Sequence, residues 1–113
     1  MKTDGEAAEA TACRFLRHSG YEIVARNWRT RAGEVDVIAR DGDVLVFVEV
    51  KARASEAFGG PEAAVDWRKQ RRLIAAARAF VAATACELAM RFDVVSIRPN
   101  EIAIIQDAFQ VPS

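Results

Sequence analysis

The chain has 113 residues, with 16 Lys+Arg balanced by 16 Asp+Glu. That length suits one domain, expected over residues 1–113, with a core large enough to need no disulfide staples. A content of 51% hydrophobic and 28% charged residues, with 6 Gly and 3 Pro, excludes a disordered or collagen-like chain. The zero net charge excludes a strongly basic tail that would by itself mark a nucleic-acid binder.

In chain order, Glu6 to His18 is expected to be helical. Ala8, Ala12, Phe15, Leu16 and Ser19 recur at helical spacing, and Ser19-Gly20 supplies a C-cap glycine. Tyr21 to Arg26, Glu34 to Arg40 and Val44 to Arg53 read as three strands. Asp41-Gly42 is a hairpin signal between the last two. Ala54 to Gly60 reads as a loop, and a long helix then runs to near Thr84. That helix starts either with Pro61 in its first turn or with Asp66 as N-cap. Arg91 to Arg98 and Glu101 to Gln106 make a closing hairpin across Pro99-Asn100. The order α-β-β-β-α-β-β predicts an α+β fold, with helices packed on the faces of a mixed central sheet.

The N-terminus lacks an apolar signal-peptide region, and the longest apolar run, Val44 to Val48, is far too short to span a membrane. Cys13 and Cys86 lack CxxC or CxxH partners, and both read as small buried residues in Ala-rich helical stretches. A reduced cytoplasmic protein, with no zinc and no membrane partner, is the expectation.

The middle hairpin carries the chemistry. Side chains alternate between the two faces of a strand. Glu34, Asp36, Ile38 and Arg40 are therefore expected on one face of the second strand, and Val35, Val37 and Ala39 on the other. On the third strand, Leu45, Phe47, Glu49, Lys51 and Arg53 oppose a buried face of Val44, Val46, Val48 and Val50. Opposed residues of an antiparallel pair point to the same side. A two-residue Asp41-Gly42 loop pairs Asp36 with Phe47 and Glu34 with Glu49. A four-residue loop pairs Asp36 with Glu49 and Glu34 with Lys51. Either register gathers Glu34, Asp36, Glu49 and Lys51, whereas a three-residue loop splits both the charges and the valines.

Taken singly, each of these charges reads as part of a surface ion-pair network. Taken together, three carboxylates in an apolar sheet repel one another, and burial adds to the cost. A divalent cation with oxygen ligands, Mg²⁺ or Mn²⁺, would neutralise the excess. Glu9 shares the helix face of Ala12, Cys13 and Leu16, and reads either as a contributor to this site or as a first-turn acid facing the helix dipole. Gln70 shares the spacing of Trp67, Ile74, Ala77 and Val81, and is expected to face inward.

Basic residues cluster in two places. Arg26, Arg29 and Arg31 lie around the loop before the second strand, with Trp28 among them. Arg68, Lys69, Arg71 and Arg72 crowd the first turns of the second helix beside Trp67. Both groups are candidates for salt-dependent, sequence-independent phosphate contact. Each also reads as a solvated face, and the two tryptophans read first as core residues and second as base-stacking platforms.

The pattern Glu34-Val-Asp36-Val-Ile, a turn, then Val46-Phe-Val-Glu49-Val-Lys51 resembles the PD-(D/E)xK nuclease signature, with twelve residues between Asp36 and Glu49. Gly20-Tyr21, Arg26-Asn27-Trp28-Arg29, Gly33-Glu34, Phe58-Gly59, Arg91-Phe92-Asp93-Val94-Val95 and Asp107-Ala108-Phe109 extend the likeness to nearly the whole chain. The string resembles the YraN-like family of predicted endonucleases. Its core is similar to archaeal Holliday junction resolvases of restriction-endonuclease-like fold. The resemblance implies metal-binding carboxylates at Asp36 and Glu49, a catalytic lysine at Lys51 and an N-terminal catalytic glutamate at Glu9. It implies an outer metal ligand at Glu34 and a supporting role for Gln70.

The expected activity is metal-dependent hydrolysis of DNA phosphodiesters, with branched, junction and single-stranded DNA as candidate substrates. The alternatives are a non-catalytic nucleic-acid-binding module that keeps the fold, and a protein-interaction domain with a surface ion-pair network. A homodimer would suit a small enzyme that cuts one strand per site, and the Ile102 to Ile105 strand is a candidate sheet edge.

Overall fold

The computed structural model describes residues 4–52 and 65–111. The elements are α1 (Asp4–His18), β1 (Glu22–Arg29), β2 (Glu34–Asp41), β3 (Val44–Ala52), α2 (Trp67–Thr84), β4 (Ala89–Arg98) and β5 (Glu101–Phe109). The five strands lie in sequence order across one sheet. β3 and β4 are parallel and the other neighbours antiparallel, so the sheet is mixed and β5 lies at its edge, as expected. The α+β architecture read from the sequence is the one found.

Local chemistry sets the helix ends. α1 stops at Gly20, whose φ of 94° suits glycine, and the Tyr21 N–H returns to the Leu16 carbonyl at 2.9 Å. Of the two expected starts for α2, Asp66 is the N-cap, its carboxylate accepting from the Lys69 N–H at 2.9 Å. The start at Pro61, the Ala54 to Gly60 loop, Phe58-Gly59 and Arg53 lie outside the described residues.

Each helix covers one sheet face. Ala12, Cys13 and Leu16 of α1 pack on Val37, Ala39, Val46, Val48 and Val95. Leu73, Ile74, Ala76, Ala77 and Phe80 of α2 pack on Val35, Ile38, Leu45, Phe47, Phe92 and Val94. Burying a large aliphatic or aromatic side chain is worth about 1.5–3 kcal/mol, so these two clusters hold the helices on opposite sides of β2 and β3. Of the β3 valines, Val46 and Val48 are buried against α1 as their alternation predicts, whereas Val44 and Val50 pack there only partly buried.

The β2 alternation is not obeyed. Val35 packs with Ile38 on the α2 side, not with Val37 and Ala39. The β1–β2 pairing passes from Arg26↔Val37 to Trp28↔Val35, and the step between them is Asn27 opposite Asp36. Asn27 adopts φ of 53°, a left-handed conformation that asparagine tolerates better than most residues. Ala25 and Trp28 both pack on the α2 cluster although strict alternation would separate them. Both strands therefore change face at this step, and β1 also does so at the register shift between Ile23 and Ala25.

The hairpin turn also differs from expectation. Asp41 pairs with Val44, so the turn residues are Gly42 and Asp43, not Asp41 and Gly42. Gly42 has φ of 60° at the first central position, where a type II′ turn needs glycine. Arg40 faces Leu45, which is the wider of the two expected registers. The ladder ends at Val37↔Val48, one step before Asp36 would meet Glu49.

Trp28 belongs to the core, edge-on to Phe80 at 5.2 Å, with its Nε1 donating to the Ala76 carbonyl. Trp67 does not, being 58% exposed. Cys13 is buried in the core, whereas Cys86 lies past the end of α2 and is only partly buried. Gly33 is required by a close approach, because a Cβ there would collide with the backbone carbonyl of Arg72.

Candidate functional site

A cavity of about 310 Å³ opens where the β2–β3 ladder stops, and its walls include Ala8, Glu9, Asp36, Glu49, Val50 and Lys69. Four elements each deliver one charged group: Glu9 from α1, Asp36 from β2, Glu49 from β3 and Lys69 from α2. The two helices reach it from opposite sheet faces, because each is fixed by its own apolar cluster.

Asp36 stands where the ladder would have continued. Its Oδ2 accepts the Val50 N–H at 2.8 Å, so the side chain replaces a missing backbone partner. The Glu49 carboxyl stands beside it in the same cavity. Burial first, and the Glu49 carboxyl second, push the Asp36 pKa from an ordinary 3.8 up to about 7. The Val50 N–H and Lys69 pull in the other direction without prevailing.

Glu49 is 7% exposed, and its Oε2 lies 3.0 Å from the Lys69 Nζ. Burial opposes the Lys69 charge, but the hydrogen bond and attraction of Glu49, with help from Asp36, hold its pKa above the usual lysine value. Glu9 is shifted upward by burial, and a hydrogen bond with Asn27 opposes the shift. The nearby charge of Asp36 adds to it. The Glu9 Oε1 is buried and has no hydrogen-bond partner among the described residues. Among the described residues lining the cavity, Lys69 supplies the ammonium and Glu9, Asp36 and Glu49 the carboxyl groups, one of them with a buried oxygen that has no hydrogen-bond partner there.

The structure brings Glu9, Asp36 and Glu49 together as the sequence suggests. Lys51 lies two residues further along β3 and is partly buried. The Asp66 carboxyl is held below its usual range first by the Lys69 N–H, and the charge of Lys51 adds to this. Glu34, expected as an outer ligand on the same face, does not line the cavity. Its side chain is 47% exposed and pairs with the Arg29 Nε at 3.3 Å. The face change at Asn27 and Asp36 separates it from the other acids.

Lys69 was expected on a phosphate-binding surface and instead points into the site. A signal for this is present in the sequence. Lys69, Leu73, Ala76 and Phe80 follow one helical stripe, and the last three are core residues. Gln70 is partly buried as expected, and its Nε2 donates to the Val65 carbonyl at 2.6 Å, tying down the segment that leads into α2. Arg26 and Arg29 lie on β1 itself, and Arg31 in the turn that follows. All three are exposed, as are Arg68, Arg71 and Arg72.

A second polar cluster lies near the β2–β3 turn and has no counterpart in the sequence reading. Asp93 Oδ1 accepts from Arg91 Nε and the Asp107 N–H, and Oδ2 accepts from the Tyr21 hydroxyl and Arg91, each at 2.9 Å. Arg91 also donates to Asp41 at 2.9 Å and to the Tyr21 oxygen at 2.8 Å.

Among the described residues, no three Asp, Glu, His or Cys groups form a ready cation cage. The Asp36–Glu49 pair, with the orphaned Glu9 oxygen beside it, still suits one kind of ion. Mg²⁺ is commonly held by one or two carboxylates and keeps its other positions for water and substrate phosphate. No described helix is long and apolar enough to cross a membrane.

Fold and cavity together define an α+β sheet protein with paired carboxyl groups at the splayed end of its central hairpin. A family model described as "Uncharacterised protein family UPF0102" matches residues 8–97, and the chain belongs to that family. A UPF0102 protein of Symbiobacterium thermophilum is 49% identical over 111 residues, covering 93% of this chain and 94% of the relative. One from Ralstonia nicotianae is 48% identical, covering 95% and 86%. One from Xanthomonas euvesicatoria pv. vesicatoria is 46% identical, covering 94% and 90%.

Proposed function

We propose that this chain is a metal-dependent endonuclease that hydrolyses DNA phosphodiesters. The observation that carries the reading is the Asp36–Glu49 carboxyl pair, buried in a cavity with Glu9 and open to a ligand. Its support from sequence is the resemblance of Asp36…Glu49-Val50-Lys51 to the PD-(D/E)xK signature. Asp36 and Glu49, with Glu9 beside them, would hold Mg²⁺ or Mn²⁺, which supplies Lewis acidity toward a phosphodiester when bound.

The chain's own groups have separable tasks. The Val50 N–H fixes the Asp36 carboxyl, and Lys69 fixes that of Glu49. Lys51, the residue matching the lysine of the PD-(D/E)xK signature, orients the attacking water or meets the negative charge that grows at the scissile phosphate. A compact ammonium suits that task better than a delocalised guanidinium.

The test is cleavage of labelled duplex, single-stranded, flap and junction DNA with Mg²⁺ or Mn²⁺. Wild type is expected to cut at least one of these, and Lys51→Ala and Asp36→Asn to lose roughly 100-fold or more. Equal inertness of wild type and Lys51→Ala on every substrate would sink the reading. The exposed Trp67 and its arginines favour a second reading, because that surface needs none of the carboxylates. A non-catalytic nucleic-acid-binding module would show metal affinity that vanishes in Asp36→Asn, and no cleavage at all.

A further inference from the structure

The first turns of α2 build a second surface beside the carboxylate cavity. Ala32, Trp67, Arg68, Arg71 and Arg72 line a depression of about 350 Å³. Gly33 makes it possible, because the loop before β2 presses against the Arg72 backbone and brings Ala32 to the opposite wall. Lys69, between these residues in sequence, turns the other way to meet Glu49.

Three features of this surface lack an internal explanation. Bases are disfavoured at a helix N-terminus, where the dipole is already positive, yet α2 carries four of them in its first turns and no acid in the first. Glu49 accounts for Lys69 alone. No ion pair among the described residues engages Arg68, Arg71 or Arg72. Trp67 leaves most of an indole in solvent, with Arg68 and Arg71 guanidinium carbons 5.0 and 5.7 Å from its ring centroid.

An exposed aromatic ring among arginines that form no ion pair with the described residues is the chemistry that recognises unpaired nucleotides. The ring stacks a base and the guanidinium groups take phosphates. A duplex also offers phosphates, but its base faces are hidden in its own stack, so Trp67 would add nothing to duplex binding. We infer that Trp67, Arg68, Arg71 and Arg72 bind unpaired nucleic acid. Resting on the function proposed above, the substrate of the neighbouring carboxylates is then DNA with a single-stranded stretch. A base enters by displacing one guanidinium from the indole, and the freed arginine moves to the adjoining phosphate.

The test uses the full chain in EDTA, so that cleavage plays no part. The probe is a fluorescent thymidine oligonucleotide of about 12 nucleotides, read by anisotropy across a salt series, alone and annealed to its complement. The single strand is expected to bind more tightly than the duplex. Trp67→Ala is expected to weaken the single strand roughly 5- to 150-fold with little effect on the duplex, and Trp67→Phe to keep most of the affinity. Arg71→Ala should shrink the salt slope by about 0.7. Unchanged single-strand affinity in Trp67→Ala, or equal affinity of wild type for both probes, overturns the inference. Trp67-dependent binding, with no cleavage of duplex, single-stranded, flap or junction DNA once Mg²⁺ or Mn²⁺ is added, supports this surface and sinks the nuclease reading. Cleavage of DNA by a chain indifferent to Trp67→Ala does the reverse.

Discussion

Asp93 is 1% exposed and Glu49 is 7% exposed, yet their surroundings differ in kind. Asp93 receives four hydrogen bonds, two of them from a guanidinium, which fills the acceptor capacity of a carboxylate. Glu49 shares its cavity with Asp36 and Glu9 and has Lys69 as the lining ammonium. One cluster is closed, ties β4 to β2, to β5 and to Tyr21 just before β1, and leaves nothing for a ligand to satisfy. The other holds an excess of acid and an orphaned oxygen. Buried polar groups are normally satisfied, so the contrast separates a saturated network from one with unmet hydrogen-bonding capacity. Substitution is expected to act on the two with opposite sign.

The largest effect is expected at the closed cluster. Asp93→Ala leaves the partly buried Arg91 guanidinium without its main partner, and Asp41 alone is a poor substitute. Loss of one member of such a pair costs about 3–5 kcal/mol. Urea unfolding should show the midpoint falling accordingly. A loss below about 1 kcal/mol would mean that the network behaves as a surface ion pair, and the contrast between the two regions would fail.

The second effect has the other sign. An acid whose pKa is higher in the folded state binds its proton more tightly there. Its stabilising contribution is therefore full below the unfolded value and lost as pH rises through the folded one. For Asp36 that window runs from 3.8 to about 7. At pH 8 and without divalent metal, Asp36→Asn is expected to be more stable than wild type, on the order of 2 kcal/mol. The amide still accepts the Val50 N–H and can donate to Glu49 in place of the proton. The gain should fade as pH drops toward 4, and thermal unfolding across that range reads it directly. Destabilisation by Asp36→Asn at pH 8 would show that the carboxyl pair is not under strain.

These opposite expectations were not equally legible in the chain. The Asp36–Glu49 meeting follows from period-two alternation and the few loop lengths a hairpin accepts, both of them local rules. The face change was hidden because it depends on Asn27 taking a left-handed conformation opposite Asp36, a decision made by two strands together. It moved Val35 to the α2 side and left Glu34 with Arg29. Lys69 was misread because its charge suggested solvent, although its stripe with Leu73, Ala76 and Phe80 pointed inward. The closed cluster showed in the chain only as separate runs, Gly20-Tyr21, Arg91-Phe92-Asp93 and Asp107-Ala108-Phe109, with nothing local to join them. Its hydrogen bonds join Tyr21 to Asp93, Arg91 to Asp41 and Gln106 to Tyr21, across separations of 72, 50 and 85 residues.

The smallest expected effect sharpens the comparison through pH. The Tyr21 hydroxyl donates to Asp93 and accepts from Arg91 and Gln106 at 2.8 Å each. Tyr21→Phe removes these bonds while keeping the ring, so the cost near neutral pH should be about 1 kcal/mol. Burial, opposed by Gln106 and aided by Asp93, pushes the Tyr21 pKa from 10.0 to about 12. The phenol is an acid raised by folding, so its contribution persists to about pH 10 and declines from there toward 12. The stability gap between wild type and Tyr21→Phe should therefore stay level through the range in which the Asp36→Asn gap changes sharply, and narrow only in alkali. A gap that instead varied between pH 4 and 7 would mean that the clusters exchange protons with each other. The closed network could then no longer be treated as independent of the site.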